Sequence, residues 1–236
     1  MPIIEDLIEF REELLHQKSF LLFIRHAEKV INPEEPEDVH VPLSKKGILQ
    51  SQEFGKKLEE LFGKIEIGVI KTSPIQRCIS TAQNIINRQH CETPIIPSKI
   101  LGDPGVFVAD DQLAYQNFID LGVKQVIEAL YAEKTLAGMR TIKEGVQLLL
   151  NEMNNDLKNC DGMIIYITHD AILIPFIKFF IEEFEYTNNL IDYLNGIIFL
   201  INKTHEYSLL WEGKRHTINQ KIKSCYPNFK GGKENE

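Results

Sequence analysis

Three short segments of the chain place basic or imidazole side chains directly after an apolar run. The first holds Arg25-His26, the second carries Arg77, and the third holds His169-Asp170. Guanidinium groups bind phosphate oxygens in pairs, and a neutral imidazole is a competent nucleophile near neutral pH. Brought together by the fold, these side chains would form a phosphate pocket that contains a nucleophile.

The elements that must position these residues are also visible in the sequence. The apolar runs at residues 20–24, 67–70 and 163–167 predict buried strands. Ser44 predicts the N-cap of one helix, and Ser73-Pro74 predicts the start of another, with proline at its first position. Strands alternating with helices indicate a mainly parallel sheet, whose ligands lie beyond the carboxyl ends of its strands.

Arg77 falls in the first turn of a predicted helix, where its charge opposes the positive end of the helix dipole. A phosphate would satisfy both this guanidinium and the free amide groups of the helix start. The chain has no P-loop and no dense Asp/His cluster, so a route without metal or other cofactor is predicted. These residues alone leave open whether His26 or His169 is the nucleophile.

Composition limits the partners and the compartment. The 236 residues carry a formal net charge of -8, which argues against nucleic acid and anionic membrane as partners. No run reaches the roughly 20 apolar residues of a membrane span, and the acidic N-terminus does not resemble a signal peptide. The four cysteines form no C-x-x-C pair, which favours free thiols and a cytoplasmic protein.

We predict one domain over residues 1–236, with a core at about residues 18–212. The segment at about residues 91–139 has a different pattern, with a G-D-P-G turn and the aromatic residues Phe107, Tyr115 and Phe118. It is interpreted as an insertion over the active-site edge, where packing is the expected use of its aromatic rings. A further strand is expected around residues 207–211.

These motifs resemble those of the histidine phosphatase superfamily, which includes the cofactor-dependent phosphoglycerate mutases and the acid phosphatases. The matching residues are Arg25-His26-Ala27-Glu28 at R-H-G-E, Leu43, Ser44 and Gly47 at L-S-x-x-G, Ser73, Pro74, Arg77 and Thr81 at S-P-x-x-R-x-x-x-T, and His169 as the late histidine. The matches span about residues 20–180. The resemblance implies a single three-layer α/β/α domain of the phosphoglycerate mutase-like fold.

The resemblance also implies a role for each matching residue. His26 is then the nucleophile, and Arg25, Arg77 and His169 bind the phosphate. Asn32 stands where the mutase-like branch often has an asparagine, which makes it a further candidate phosphate contact, with a turn before Pro33 as its alternative role. Ala27 departs from the usual glycine, which leaves the backbone there less conformational freedom.

Two aspartates are candidates for the acid that protonates the leaving oxygen. Asp170 matches the position of the acid in the acid phosphatase branch, directly after the second histidine. Asp103 stands where the mutase-like branch has a glutamate, and a role in the D-P-G turn is its alternative. Asp170 is favoured because its adjacency to His169 fixes its position without an alignment across the variable segment.

The leading hypothesis is therefore a metal-independent phosphatase that hydrolyses a phosphomonoester through a phosphohistidine on His26. One alternative is a phosphoglycerate mutase-like phosphotransferase, since the same pocket can return the phosphoryl group to a bound sugar acid. Another is a non-catalytic phosphate-binding regulatory module. The expected partner is a small phosphorylated substrate, although a phosphoprotein is not excluded. The sequence does not indicate the oligomeric state.

Overall fold

The computed structural model describes residues 2–31, 40–63, 66–86, 93–184, 191–202 and 206–226. The elements in chain order are α1 (Pro2–Glu9), α2 (Arg11–Leu15), β1 (Ser19–Arg25), α3 (Lys45–Phe62), β2 (Ile67–Thr72), α4 (Gln76–Ile86), β3 (Ile95–Pro97), a 3₁₀ turn (Lys99–Leu101), α5 (Asp111–Tyr131), α6 (Ile142–Asn159), β4 (Gly162–Thr168), α7 (Asp170–Phe180), β5 (Gly196–Ile201), β6 (Tyr207–Trp211), β7 (Lys214–Thr217) and α8 (Asn219–Cys225). Among these residues, no helix combines the length and the apolar character that crossing a membrane requires.

Seven strands of the described residues form one sheet in the order β3-β2-β4-β1-β5-β6-β7. The first four run parallel, and β5, β6 and β7 are each antiparallel to the strand before them in this order. The register pairs Arg25 of β1 with Thr168 of β4, and Thr72 of β2 with Ile167 of β4. The carboxyl ends of the three predicted strands therefore lie side by side, as expected.

Helices cover both faces of this sheet, which confirms the three-layer α/β/α prediction. One core contains Phe23 and Tyr166 from the sheet and apolar residues of α5, α6, α7 and α8. The other contains Leu22 and Ile165 and apolar residues of α1, α2, α3 and α4. Every residue of β1 is buried, which explains why this strand is a continuous apolar run and not an alternating one.

The described part of the segment predicted as an insertion begins at residue 93. It adds β3 to the sheet beside β2, and the second half of α5 packs into the core formed with α6 and α7. Phe107 is buried and Phe118 packs against the same core, whereas Tyr115 is 66% exposed. Packing is therefore the use of two of the three aromatic rings.

The predicted start of α4 is wrong by two residues. The helix begins at Gln76, and its first backbone hydrogen bonds are accepted by the carbonyl of Ile75. Ser73 lies three residues before this start; its Oγ accepts from the amide of Ile75 at 3.2 Å and also binds His169. Ser44 is the predicted N-cap of α3, and its Oγ accepts from the amide of Gly47 at 2.9 Å.

The start of α3 is fitted against the loop that follows β1. The amide of Ser44 donates to the carbonyl of Glu28 at 2.9 Å, and the Ser44 hydroxyl donates to the Glu28 carboxylate at 2.8 Å. A Cβ atom added to Gly47 would lie 2.0 Å from the carbonyl oxygen of Glu28. The glycine of the L-S-x-x-G motif is therefore required for close backbone contact between α3 and this loop.

Gly47→Ala is expected to lower the free energy of unfolding by about 2 kcal/mol, because the added methyl group meets backbone that cannot yield easily. In an exposed helix the same change would stabilise by about 1 kcal/mol, so the sign distinguishes contact from helix propensity. Urea denaturation measures both. The control Glu53→Ala, at an exposed site of α3, should stay within about 0.5 kcal/mol of wild type. If Gly47→Ala is more stable than wild type, close contact between α3 and the backbone of Glu28 is contradicted.

Candidate active site

The three strand ends bring the predicted side chains together. The amide of His26 donates to the carbonyl of Thr168 at 2.9 Å, which fixes the end of β1 beside the end of β4. His169 follows directly, and the two imidazole centroids are 5.1 Å apart. Both rings are buried, as are Arg25 and Arg77. Four of the predicted site residues therefore meet at one edge of the sheet.

Arg77 lies between the two imidazoles. Its Nε donates to Nε2 of His26 at 3.1 Å, and one terminal nitrogen donates to Nδ1 of His169 at 3.3 Å. Because a guanidinium only donates, Nε2 of His26 must be unprotonated. The proton of His26 is then on Nδ1, which donates to the carbonyl of Ala27 at 2.7 Å. This arrangement directs the Nε2 lone pair of His26 into the pocket.

The ring of His169 is oriented in the same way. Since Nδ1 accepts from Arg77, Nε2 carries the proton and donates to Oγ of Ser73 at 3.0 Å. Gly102 lies against the same edge of the ring as Ser73, because a Cβ atom added to this glycine would lie 2.5 Å from the Ser73 hydroxyl and 2.8 Å from the ring. Cys78 has its Sγ 3.6 Å from Nε2, and burial raises the pKa of its thiol to about 12, so it is not a nucleophile at neutral pH.

Burial and positive neighbours keep both imidazoles uncharged. Burial lowers the pKa of His169 to about 3, with Arg77 and Arg25 acting in the same direction. Burial, His169 and Arg77 also lower the pKa of His26 well below its usual value. Both rings are therefore neutral at physiological pH, and a neutral ring is the form in which a histidine can act as a nucleophile.

Arg25 is held on three sides. One terminal nitrogen is 2.9 Å from Oδ2 of Asp170, and the other donates to the carbonyl of Ile191 at 2.5 Å. The ring of Tyr193 lies against the guanidinium, with its centroid 4.3 Å from Cζ. The Nε of Arg25 is buried and has no hydrogen-bond partner among the described residues.

The two candidate acids occupy different walls of the pocket. Asp170 is the first residue of α7 and is ion-paired with Arg25, while its Oδ1 accepts from the amide of Ala171. Asp103 is exposed, has a φ of 53°, and follows Gly102, the glycine against the ring of His169. Asn32, the predicted further phosphate contact, lies outside the described residues.

Two contributors were missed at the sequence level. Tyr193 lies against both Arg25 and His26, with 5.7 Å between the tyrosine and histidine centroids. It precedes β5, and no motif marks it. The hydroxyl of Ser73 contacts His169, whereas the sequence suggested only a cap; its position at a strand end was the available signal.

No group of three His, Cys, Asp or Glu side chains in the described part of the chain is arranged to hold a metal ion. The guanidiniums of Arg25 and Arg77 lie at this edge with one carboxylate, that of Asp170, which is paired with Arg25. The two imidazoles form hydrogen bonds with Arg77, Ala27 and Ser73. The arrangement is suited to an oxyanion, because charged guanidinium donors form short, strong bonds with phosphate oxygens.

Comparison with known proteins agrees with this geometry. Residues 21–102 match the model of the histidine phosphatase superfamily (branch 1), a range that contains Arg25, His26 and Arg77. This part of the chain is therefore similar to the histidine phosphatase superfamily. His169 lies beyond the matched range, and the register of β1 with β4 brings it beside His26.

Several solved structures have a similar fold. Bacillus stearothermophilus YhfR has a TM-score of 0.58 and 17% identity over 83% of this chain and 97% of its own. A phosphoglycerate mutase from Bacillus anthracis has a TM-score of 0.55 and 14% identity, over 87% of this chain and 93% of its own. An alpha-ribazole phosphatase from Shigella flexneri has a TM-score of 0.52 and 15% identity, over 78% of this chain and 91% of its own. At these identities the likeness concerns the fold alone. The comparison with curated proteins gave no match.

Two further residues of the motifs, Thr81 and Ala27, pack beside the site residues. Thr81 donates its hydroxyl to the carbonyl of Arg77 at 2.7 Å and accepts from the amide of Ala27 at 3.1 Å, so it ties α4 to the loop after β1. Ala27, which replaces the usual glycine, does not have a positive φ, and its methyl group is buried in the core. The substitution is therefore accommodated.

Acidification is expected to destabilise the protein through its buried histidines. Between about pH 6.5 and the His169 pKa of about 3, the unfolded imidazole takes up a proton that the folded one does not. The free energy of unfolding should fall with pH across this window, by up to about 1.4 kcal/mol per pH unit from this one group. Urea denaturation of wild type and His169→Asn from about pH 7.5 to about 4.5 should give a shallower slope for the variant.

The matched control is His16→Asn, since His16 is exposed. Its pH slope should equal that of wild type. Equal slopes for wild type and His169→Asn would show that His169 is protonated in the folded protein, contrary to the hydrogen bond from Arg77.

Proposed function

We propose that this protein is a phosphatase that hydrolyses a small phosphomonoester through a phosphohistidine on His26, without a metal ion. The observation that carries the proposal is the tautomer of His26. Its Nδ1–H is anchored on the carbonyl of Ala27, so the unprotonated Nε2 faces the guanidinium of Arg77. A nucleophile needs such a lone pair beside the charge that will hold its target.

The phosphoryl group would lie between the two arginines. Arg77, which now donates to both imidazoles, would transfer these donors to phosphate oxygens, and Nε of Arg25 supplies a further buried donor. The helices α4 and α7 both begin at this edge, and their amide ends favour an anion. These groups stabilise the charge on the equatorial oxygens during transfer.

The reaction then proceeds in two displacements. The Nε2 lone pair of His26 forms a bond to phosphorus as the ester P–O bond breaks, and the leaving oxygen takes a proton from a carboxylic acid. The hydrogen bond from Nδ1 to Ala27 stabilises the positive charge that develops on the ring. Water next attacks phosphorus, the N–P bond breaks, and the carboxylate accepts the proton of the water.

Asp103 and Asp170 are the candidates for this acid. Asp103 is exposed at the wall formed with Gly102, where a leaving group could reach it. The carboxylate of Asp170 is paired with Arg25, one of the two arginines of the proposed phosphate pocket. An aspartate held by an arginine is better placed to orient that arginine than to release a proton.

Hydrolysis of p-nitrophenyl phosphate from about pH 4 to about 8, with EDTA present, tests this proposal. Wild type should release phosphate, and His26→Ala should lower kcat/KM by at least about 10³-fold, because the nucleophile is removed. The control His16→Ala changes an exposed histidine and should keep wild-type activity. In wild type alone, a rapid quench in alkali should trap phosphate on His26.

Substantial turnover by His26→Ala would refute the nucleophile. Loss of wild-type activity in EDTA would refute the metal-independent route. Wild-type protein that binds inorganic phosphate but hydrolyses no ester would exclude a general phosphatase.

A further inference from the structure

Arg25 has little freedom to move within the pocket. Its two terminal nitrogens are bound by Asp170 and by the carbonyl of Ile191, and the face of Tyr193 fixes the plane of the guanidinium. The Nε that is left is buried among neighbours that offer it no acceptor within the described residues. A guanidinium held in this way presents Nε in a single direction.

A strained turn places Tyr193 against this arginine. The next residue, Leu194, is fully buried and has a φ of 54°, a conformation that bulky residues rarely adopt. Two backbone bonds hold the turn against the end of β1, from the amide of Leu194 to the carbonyl of Arg25 and from the amide of Arg25 to the carbonyl of Asn195. The turn and the arginine are therefore built as one unit.

The carboxylate of Asp170 accepts hydrogen bonds at both oxygens. Oδ2 is paired with Arg25 at 2.9 Å, and Oδ1 accepts from the amide of Ala171 at 2.8 Å. The side chain is only 15% exposed, so water does not compete strongly for these oxygens. Both oxygens are therefore engaged by donors of the protein itself, one of them the guanidinium of Arg25.

We propose that Asp170 and Tyr193 are positioning residues that act through Arg25, fixing its guanidinium so that Nε meets a phosphoryl oxygen. This inference rests on the proposed function, in which the pocket holds a phosphoryl group beside His26. It assigns the leaving-group proton to a group other than Asp170, although the residue follows the second histidine as the acid of the acid phosphatases does. The unit of Arg25, Asp170 and Tyr193 is called the arginine clamp.

The first test compares two esters with different leaving groups, p-nitrophenyl phosphate and the poorer substrate phenyl phosphate. Asp170→Asn should lower kcat/KM by about 10²-fold for both, because misplacing a phosphate contact affects each ester alike. If Asp170 were the acid, the loss would be greater for phenyl phosphate, whose leaving oxygen depends more on the proton. A loss that increases in this way overturns the proposal.

The second test asks whether both residues act through Arg25. Tyr193→Leu alone should lower kcat/KM by about 3- to 30-fold, the range expected for loss of a cation–π contact, and Tyr193→Phe should recover most of that loss. In an Arg25→Lys background, which retains the charge but not the guanidinium fork, neither Asp170→Asn nor Tyr193→Leu should add more than about threefold. Multiplicative losses in the double variants overturn the clamp.

Asp161→Asn is the matched control for Asp170→Asn. Asp161 is 71% exposed, is paired with Lys18, and lies beside the amino end of β4, away from the pocket. Asp161→Asn should leave kcat/KM unchanged for both esters. Circular dichroism confirms that each variant is folded before its kinetics are compared.

Calorimetry with inorganic phosphate separates failure of the clamp from failure of the proposed function. If wild type binds phosphate but hydrolyses neither ester, the proposed function fails. The single and double variants are then compared by their dissociation constants for phosphate in place of kcat/KM. Tyr193→Leu should then weaken binding by about 3- to 30-fold in the Arg25 protein and not in Arg25→Lys. Equal weakening in both backgrounds overturns the clamp, and a wild type that neither binds nor hydrolyses overturns both inferences.

Discussion

Arg77 donates hydrogen bonds to both imidazoles, and the chemistry of the site depends on this pair of contacts. A guanidinium cannot accept a proton, so its two partners must present lone pairs to it. The remaining proton of each ring is then directed outward, to Ala27 from His26 and to Ser73 from His169. One side chain thereby determines which nitrogen of His26 is unprotonated.

Arg77 can do this only because the sheet holds its surroundings in register. It is in the first turn of α4, which follows β2, whereas the two histidines follow β1 and β4. Thr81, one turn further along α4, binds both the carbonyl of Arg77 and the amide of Ala27. A displacement of one strand would therefore separate the arginine from one of its rings, which makes the β2-β4-β1 register a condition for the site.

This part of the molecule could be predicted because it follows from local patterns and one general rule. Continuous apolar runs predicted the three strands, and the carboxyl ends of parallel strands share an edge. His26 and His169 could thus be placed together although they are far apart in the chain. The start of α4 could not be predicted correctly, because the hydroxyl of Ser73 binds a histidine that the local sequence does not contain.

The contribution of Tyr193 could not be predicted for a similar reason. Its position depends on the positive φ of Leu194, and no residue preference indicates that conformation for a leucine. The turn is determined by its backbone bonds to Arg25, which are long-range contacts. The ion pair of Asp170 was hidden in the same way, since its adjacency to His169 suggested a proton donor and gave no sign of Arg25.

The pocket therefore has parts of two kinds, and they carry different information. In the proposed function, the sheet edge supplies the nucleophile and the two arginines that phosphoryl transfer requires. The walls are loops with backbone in unusual conformations, at Gly102 and Asp103 on one side and at Leu194 on the other. A substrate's leaving group would meet these walls and not the sheet edge. Because the conformations of these walls depend on tertiary contacts, local motifs indicate the proposed reaction class but do not specify the substrate.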